Sequence, residues 1–562
     1  MKPELLTGAQ ILRRTLVDAG VDVMFGYPGG AIMPFYDALH GHEKTLRHIL
    51  VRHEQAAAHA ADGYARASNR IGVCVATSGP GATNLVTGLA TAHMDGSPVL
   101  AITGQVGRPM LGRDAFQETD VVGVTMPVTK HNVLVRDVEE LADDVREAMA
   151  IAMEGRPGPV LVDVPKDVQN QKAEYRTRPA PSRRSAERAA SPEPPADATL
   201  KEVAQLIAQA ERPLMMIGRG VIISGAYACV QELAERTGMP VITTLLGISA
   251  IPQAHPLHLG MPGMHGAVHI NKAIQAADLI VGIGLRFDDR VTGNTAAFAP
   301  RAKIVHVDID AAAVGRNVPV AVGLVGDARV IVERLLKVVA ARDCVRWQQE
   351  IAGLMRHPEE VFSGGLSPDV ILSTLAEVTG GKCTVVSDVG QHQMWVAQRY
   401  PFQRPNTHIT SGGLGAMGFA VPAAMGVHVA RPHEPVWAIS GDGGFQMNMA
   451  EMATMVQEGL EVKLAIFNNG YLGMVRQWQQ FFHGGRYSNT PIWSPDYVKL
   501  AEAYGIPGFR VKQGSEVADA LRQANDRPGP ALVELVLEQE ANVFPMIVPG
   551  GSLSEPLEAA PV

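Results

Sequence analysis

Two polar residues, Asp442 and Asn469, each follow a short apolar run in the stretch VWAISGDGGFQMNMAEMATMVQEGLEVKLAIFNNGYLGMV, which spans 436–475. A carboxylate and an amide oxygen side by side can hold Mg²⁺, which prefers few protein ligands together with phosphate oxygens. The glycine turn around Asp442 opens a helical apolar pattern that stops at Gly459, a residue type that often follows a helix. The free N–H groups of such a helix favour a phosphate. The stretch therefore predicts a site for a metal and a phosphate.

Continuous apolar runs beside both residues predict two neighbouring strands, buried on both faces and joined by the helix. The runs are 436–440 and 463–467, and such runs are typical of parallel sheets. Because parallel strands end at one edge, Asp442 and Asn469 would meet where open α/β sheets bind ligands. An Asp-Gly turn or an Asn-Asn pair alone is a weak signal, and an ordinary turn with a capping asparagine is the alternative.

The composition is that of a large globular enzyme. A chain of 562 residues is too long for one core, so roughly two to four domains are expected. The net charge of −8 argues against general nucleic-acid binding. The four cysteines include no CxxC pair, which argues against a disulfide framework and a zinc site and fits a reducing cytoplasm; they are Cys74, Cys229, Cys344 and Cys383.

Neither a membrane span nor a targeting segment is predicted. The N-terminus enters an amphipathic helical pattern directly, without the apolar core of a signal peptide or an Arg/Ser-rich transit segment. The longest uncharged stretch, 411–430, contains several glycines, Pro422 and His428. These residue types favour a buried helix against a cofactor over a helix in lipid.

The chain divides into three α/β units, which we predict to be three doubly wound parallel-sheet domains. Residues 1–166 and 199–342 alternate apolar runs with helical segments, as such domains do. The third unit, 366–545, contains the stretch described above. Residues 167–198 are rich in Pro, Ser, Ala and charge and predict an exposed linker, and 546–562 form a C-terminal tail.

The first two units contain further candidate positions. Glu54 opens an Ala-rich helix after an apolar run, where an acid can also serve only to stabilise the helix dipole. In the second unit, runs that end in 218–220, 282–284 and 308–310 suit a dinucleotide cradle, although an aspartate at a strand end often only caps a helix. The GxGxxG fingerprint is missing there, so a typical NAD site is not indicated.

Several longer motifs make the pattern specific. They are RHEQAAAHAADGYAR around Glu54, FQETD at 116–120, GMHG at 263–266, RFDDRVTG at 286–293, GQHQMW at 390–395, GGLGAMGFA at 412–420, GDGG and FNNGYLGMVRQW. Over nearly its whole length the sequence resembles the catalytic subunit of acetohydroxyacid (acetolactate) synthase, of the thiamine diphosphate (ThDP) superfamily. The resemblance implies a pyrimidine-binding, a central FAD-binding and a diphosphate-binding domain, in that order.

The resemblance also implies roles for the residues that hold ThDP and Mg²⁺. Glu54 matches the carboxylate that bonds to the pyrimidine N1′ and favours the imino tautomer, which removes the thiazolium C2 proton. The other positions near the reacting centre match Gly30, Phe116, Gln117 and Lys166. The metal ligands match Asp442, Asn469 and the carbonyl of Tyr471, and the positions that line ThDP match Gly390, Gln391, His392, Gly415, Met417, Gly443 and Gly444.

Two further sets follow from the resemblance. The FAD positions match Arg156, Gly218, Gly220, Thr244, Leu245, Met264, His265, Arg290, Asp308, Ile309 and Asp327. The substrate positions match Met474, Val475 and Trp478, the last as a wall that favours 2-oxobutanoate as acceptor. Gly107 and Pro549 depart from residues common in the family, which puts inhibitor sensitivity and substrate fit in doubt.

The implied reaction is decarboxylation of pyruvate and transfer of the two-carbon unit to pyruvate or 2-oxobutanoate, a step toward branched-chain amino acids. The implied assembly is a homodimer or tetramer in which two chains form each site and Glu54 faces a cofactor held by the partner. A separate regulatory subunit often binds in this family, and neither nucleic acid nor membrane is an expected partner.

Two alternatives remain on the sequence alone. Another FAD-containing ThDP enzyme, such as a pyruvate oxidase or a related carboligase, shares much of the pattern, although glyoxylate carboligase lacks the carboxylate found at Glu54. A catalytically silent scaffold of the same fold would be expected to lose Glu54, Asp442 or Asn469, and all three are present.

Overall fold

Three six-stranded parallel sheets form the framework of the computed structural model, which describes residues 4–176, 195–355 and 365–560. The first and third sheets have the same strand order, 2-1-3-4-6-5, when the six strands of each sheet are numbered along the chain. The central sheet has the order 3-2-1-4-5-6, which is the arrangement of dinucleotide-binding folds. The prediction of three doubly wound α/β domains is therefore confirmed.

The first unit contains eight strands, six of them in its parallel sheet. The strands are β1 (Glu4–Thr7), β2 (Val23–Gly26), β3 (Arg47–Leu50), β4 (Gly72–Ala76), β5 (Val99–Gln105), β6 (His131–Leu134), β7 (Val160–Pro165) and β8 (Lys172–Tyr175). The helices are Gly8–Asp18, Met33–Leu39, Glu54–Ser68, Pro80–Asn84, Val86–Asp95, Val121–Thr125, Leu141–Met153 and Lys166–Asn170.

The chain returns to the first unit beyond the predicted boundary at residue 166. Strand β8 pairs antiparallel with β1, Glu4 opposite Tyr175, so the chain still belongs to the first unit there. The Pro- and Ser-rich part of the predicted linker, 177–194, lies outside the described residues.

The central unit contains the second sheet. Its strands are β9 (Pro213–Ile217), β10 (Val241–Thr243), β11 (His258–Gly260), β12 (Leu279–Ile283), β13 (Lys303–Asp308) and β14 (Val322–Val325). Its helices are Asp197–Gln209, Arg219–Ile223, Tyr227–Thr237, Val268–Ala276, Asp289–Thr292, Ala328–Leu335 and Val345–Ala352. The last helix lies beyond the predicted end at 342, but buried Trp347 ties it to this unit by donating to the Pro213 carbonyl at 3.2 Å.

The third unit contains the third sheet. Its strands are β15 (Thr384–Ser387), β16 (His408–Thr410), β17 (Val436–Gly441), β18 (Val462–Asn468), β19 (Gly508–Val511) and β20 (Ala531–Val536), followed by the short pair β21 (Met546–Ile547) and β22 (Pro556–Leu557). Its helices are Pro368–Val378, Gln391–Arg399, Ala420–Ala430, Asp442–Asn448, Met452–Glu458, Gly473–Phe482, Tyr497–Ala503 and Val517–Asp526. The segment predicted as a tail packs on the central unit, where Ile547 donates to the Met264 carbonyl at 2.8 Å.

Helix Ala420–Ala430 joins the third unit to the first. It is buried, as predicted, but it packs on helix Glu54–Ser68 rather than on a cofactor cavity. An ideal Cβ on Gly426 would lie 1.9 Å from the Ala60 carbonyl oxygen, so only glycine lets the two backbones approach this closely. Among the described residues, no helix combines the length and the apolar character needed to cross a membrane.

Candidate functional site

Asp442 and Asn469 lie together at one edge of the third sheet, as predicted. Strands β17 and β18 are paired up to Gly441 and Phe467. Asp442 directly follows β17, and Asn469 directly follows the last residue of β18, Asn468. Both side chains are buried. The Asp442 carboxylate accepts from the Gly470 N–H at 2.9 Å, and Asn469 donates to the Gln391 side-chain oxygen at 3.2 Å.

The environment of Asp442 suits a cation. Burial raises the pKa of this carboxyl to about 6, while hydrogen bonds from the Gly470 and Gly443 N–H groups oppose the rise. The amide oxygen of Asn469 accepts from the Tyr471 N–H at 3.1 Å, and carboxylate, amide and carbonyl oxygens are the donors that Mg²⁺ accepts. The described residues include no group of three or more His, Cys, Asp or Glu side chains placed for a metal, and the predicted set contains only one such residue.

A cavity of about 60 Å³ lies next to this edge. It is lined by most of the residues predicted to hold ThDP, namely Gly390, Gln391, His392, Met417, Gly443 and Gly444, together with Asp442, Asn469 and Tyr471. His392 is buried, which lowers its pKa to about 3 and keeps the ring neutral. Its Nε2 has no hydrogen-bond partner, so a polar atom is still available to a ligand.

The glycines of this cradle lie close to neighbouring side chains, which leaves little room for a side chain of their own. An ideal Cβ on Gly444 would lie 2.8 Å from an oxygen of Asp388, and one on Gly443 would lie 2.7 Å from Leu472. Gly390, the N-cap of helix Gln391–Arg399, has φ of 150°, a conformation that other residues rarely adopt.

A larger cavity of about 1490 Å³ lies where the three units meet. It is lined by every predicted FAD position except Gly218, namely Arg156, Gly220, Thr244, Leu245, Met264, His265, Arg290, Asp308, Ile309 and Asp327. Gly218 lies behind the wall, since its ideal Cβ would be 2.4 Å from the Gly284 carbonyl oxygen. Gly415 and Met417 also line this cavity. It therefore adjoins the edge of the third sheet with Asp442 and Asn469, which is called the metal edge after the predicted site.

Several arginines line the large cavity, alongside aspartate and glutamate residues. Arg156 and Arg290 are joined there by Arg219 and Arg286, two residues that sequence reasoning missed. Burial and the positive charge of Arg66 lower the pKa of Arg219 to about 9, and its Nε has no hydrogen-bond partner. An anionic ligand such as a diphosphate would relieve this repulsion.

The two aspartates predicted to contact FAD differ in their environment. Asp308 is buried at the end of β13, and burial raises the pKa of its carboxyl. Asp327 accepts from the Val330 N–H at 3.1 Å and thereby caps helix Ala328–Leu335. The capping alternative therefore holds for Asp327, although this residue also lines the cavity.

The predicted substrate residues lie on helix Gly473–Phe482 and face the large cavity. Met474, Val475 and Trp478 line it, and the first two also line the smaller cavity. The Arg290 guanidinium lies 5.9 Å from the Trp478 ring centroid, within cation–π range. Trp478 is therefore part of the cavity wall.

The catalytic positions predicted in the first unit lie elsewhere in the same chain. Glu54, Gly30, Phe116, Gln117 and Lys166 line neither cavity. Glu54 begins helix Glu54–Ser68, and its Oε2 accepts from the Asn84 amide at 3.0 Å. Phe116 is 88% exposed. Within one chain, the structure does not bring these residues to the metal edge.

Sequence reasoning also missed Asp388, which organises the cradle. It is fully buried after β15 and accepts from the Gly418 N–H at 2.9 Å and the Ser440 hydroxyl at 2.9 Å. Burial raises the pKa of its carboxyl to about 6. A polar residue directly after an apolar run was the signal used for Asp442, and the same signal is present at VVSD.

A buried ionic cluster joins all three units beside the cavities. Arg66 pairs with Asp62 at 2.7 Å and with Asp95 at 2.9 Å. Asp95 also accepts from the Gly412 and Gly413 N–H groups at 3.1 and 2.7 Å, which fixes the loop that lines the large cavity. Arg219 of the central unit donates to Ser97 beside this cluster at 2.9 Å.

Comparison with known proteins places these features in one family. Three thiamine pyrophosphate enzyme models match: the N-terminal TPP binding domain at 6–124, the central domain at 200–335 and the C-terminal TPP binding domain at 388–535. The acetolactate synthase large subunit of Corynebacterium glutamicum is 46% identical over 98% of this chain and 90% of its own length.

Two further relatives agree. Acetolactate synthase of Mycobacterium bovis is 47% identical over 98% of this chain and 91% of its own length. The probable acetolactate synthase large subunit of Methanocaldococcus jannaschii is 45% identical over 99% of this chain and 96% of its own length. The chain thus belongs to the thiamine pyrophosphate enzymes and, among them, to the acetolactate synthase large-subunit family.

Proposed function

We propose that this enzyme is a transferase that decarboxylates pyruvate and passes the two-carbon unit to a second 2-oxoacid. Pyruvate as acceptor gives 2-acetolactate, and 2-oxobutanoate gives 2-aceto-2-hydroxybutanoate, both leading to branched-chain amino acids. The observation that carries the proposal is the Asp442–Asn469 edge, which adjoins a cavity walled by Trp478 in a chain of this family.

Mg²⁺ and the diphosphate of ThDP would occupy the edge of the third sheet. Asp442, Asn469 and the Tyr471 carbonyl would hold the metal, and the Gly443–Gly444 backbone leaves room for the diphosphate. When bound, ThDP supplies a thiazolium carbon that becomes a nucleophile on losing its proton. Glu54 would hydrogen-bond to the pyrimidine ring, while Asn84 fixes its second oxygen.

FAD is proposed for the large cavity. The strand order of the central sheet is one that binds dinucleotides, and Arg219 has an unpaired buried N–H for a phosphate oxygen. Asp308, which lines the cavity at the end of β13, would accept a hydrogen bond from a ribose hydroxyl. Because the net reaction neither takes nor releases electrons, FAD would support the site without being reduced, and 5-deaza-FAD should also sustain activity.

The assembly we propose is a homodimer, alone or within a tetramer. Glu54 lies in the first unit and the metal edge in the third, and neither cavity includes Glu54. A second copy could present its own Glu54 to that edge and cover the exposed Phe116. The four free cysteines favour a cytoplasmic location. This location and a small regulatory subunit stay predictions.

One experiment tests the proposed reaction. Purified protein is supplied with ThDP, Mg²⁺, FAD and pyruvate, and both acetolactate and carbon dioxide are measured. We expect acetolactate to form while the flavin absorbance stays constant under anaerobic conditions. Bleaching of the flavin by pyruvate without acetolactate would contradict the proposal and indicate a pyruvate oxidase.

A further inference from the structure

A buried chain of hydrogen bonds holds the loop at residues 106–120, which carries Phe116 and Gln117. The Asp163 carboxylate, on β7, accepts from the Thr103 hydroxyl at 2.7 Å and from the Gln105 amide at 2.9 Å. The same amide nitrogen of Gln105 donates to the Thr119 carbonyl oxygen at 2.9 Å. Asp163 is therefore connected through one side chain to the far end of the loop.

Both polar atoms of the Gln105 side chain make hydrogen bonds in this chain. Its two amide protons go to Asp163 and Thr119, and its carbonyl oxygen accepts from the Val106 N–H at 2.9 Å. Gln105 is 2% exposed and Asp163 1%. Since water is excluded, a lost partner leaves a buried polar group unpaired, which fixes the geometry strongly.

The loop needs such support because part of its backbone is strained. Gln117 has φ of 58°, a left-handed conformation that is uncommon for a residue other than glycine. Gly79 lies directly behind it, where an ideal Cβ would be 2.8 Å from the Gln117 carbonyl oxygen. Strained conformations persist only when their surroundings hold them, and they are frequent at functional sites.

We infer that Asp163 and Gln105 are positioning residues that hold Gln117 and Phe116 for the reaction. The inference rests on the proposed function, in which these two residues lie near the reacting centre. Asp163 and Gln105 line neither cavity, so both act through Thr119 and the loop backbone. Neither residue touches substrate or cofactor in this role.

The chemistry of Asp163 suggests a matched pair of variants. In Asp163→Asn, the amide oxygen can still accept from Gln105, and the amide nitrogen can donate to Thr103, whose hydroxyl accepts as well as donates. In Asp163→Leu, Gln105 loses its acceptor. Gln105→Leu removes the tether itself. Gln275→Leu is the control, because that amide donates to the Ala297 carbonyl at 2.9 Å in the central unit.

The test measures kcat and KM for acetolactate formation, ThDP affinity by tryptophan fluorescence, and trypsin cleavage after Arg113, which lies in the loop. We expect Gln105→Leu and Asp163→Leu to lower kcat by roughly 10- to 100-fold, since small misplacements of reacting groups have effects of this size. ThDP affinity should stay within about twofold, since the ThDP cradle lies in the third unit and non-contacting distant sites couple weakly. Cleavage after Arg113 should become several-fold faster.

Asp163→Asn and Gln275→Leu should keep kcat and cleavage close to those of the unaltered enzyme. Unchanged kcat in Gln105→Leu, or an equal loss in Asp163→Asn and Asp163→Leu, would overturn the inference. Should Gln105→Leu fail to fold, the two Asp163 variants provide the same comparison. If the unaltered enzyme forms no acetolactate, the proposed function fails, and the cleavage assay alone decides whether Gln105 and Asp163 hold the loop.

Discussion

Replacing Gly426 by alanine should separate the first and third units. The new Cβ would lie 1.9 Å from the Ala60 carbonyl oxygen, where ordinary contact begins at 3.4 Å, so the helices must move apart by about 1.5 Å. The opposite side of the interface is equally tight, since a Cβ on Gly63 would lie 2.1 Å from the Ala423 carbonyl oxygen. Both obstacles are backbone atoms, which no change of rotamer can clear.

The expected loss is about 3 kcal/mol of unfolding free energy, the upper end for an overpacked core. Alanine is more favourable than glycine inside a helix by ~1 kcal/mol. A net loss of stability can therefore come only from the contact between the new Cβ and the Ala60 carbonyl oxygen. At roughly 2–4 °C per kcal/mol for domains of 150–250 residues, Tm should fall by roughly 6–12 °C. ThDP affinity should fall too, because the loop before this helix donates to Asp388 through Gly418.

Differential scanning calorimetry of the holoenzyme measures the effect. The control is Gly353→Ala, at the exposed end of helix Val345–Ala352, where φ is −66° and the nearest atoms to a Cβ are 3.5 Å away. This control should leave Tm unchanged or raise it slightly. If the Tm of Gly426→Ala lay within 1 °C of that of the control, the two helices could move apart without loss of stability. The reasoning from close backbone approach would then be wrong.

Three further outcomes are expected. Glu54→Gln should lower carboligation by roughly 10²–10⁴-fold at saturating ThDP, as loss of an acid–base group does, and wild-type turnover in this variant would refute the assignment. Trp478→Leu should reduce the preference for 2-oxobutanoate several-fold, because one methylene is worth about 1–3 kcal/mol in an apolar pocket. Competition of both acceptors at fixed pyruvate gives the product ratio, and an unchanged ratio would contradict a role of Trp478 in this preference. Burial raises the pKa of Asp163 to about 7, compared with roughly 3.9 in the unfolded chain. The folded protein therefore binds more protons than the unfolded chain, and the free energy of unfolding falls as pH rises between these two values. Asp163→Asn lacks this titration, so its stability relative to the unaltered protein should increase from pH 5 to 7.5, as measured by urea unfolding. Parallel pH profiles of the two proteins would refute the assignment of this titration to Asp163.

The sequence was most informative where one strand or turn decides the outcome. The runs beside Asp442 and Asn469 predicted β17 and β18 and the shared edge, because a parallel sheet places strand ends together. Gly459 ends helix Met452–Glu458 in the left-handed conformation, with φ of 64°, as its position predicted.

Features that depend on contacts between distant segments could not be predicted in this way. The pairing of β8 with β1, past residue 166, joins the two ends of the first unit. Arg219 and Arg286 were not among the predicted site residues, because only the meeting of three units gives them a shared cavity. The chain from Asp163 to Thr119 likewise depends on the register of β5 and β7, which pairs Thr103 with Asp163.

The ionic cluster of Arg66 and Asp95 has a consequence for how the molecule unfolds. Its ion pairs lie within the first unit, but its remaining hydrogen bonds need the third unit, because Arg66 donates to the Thr410 carbonyl at 2.7 Å and Asp95 accepts from the Gly412 and Gly413 N–H groups. Detaching the third unit would leave these groups without their partners across the interface. We expect the units to melt in one cooperative transition, and a fragment ending near 355 to be a poor substitute for the whole chain.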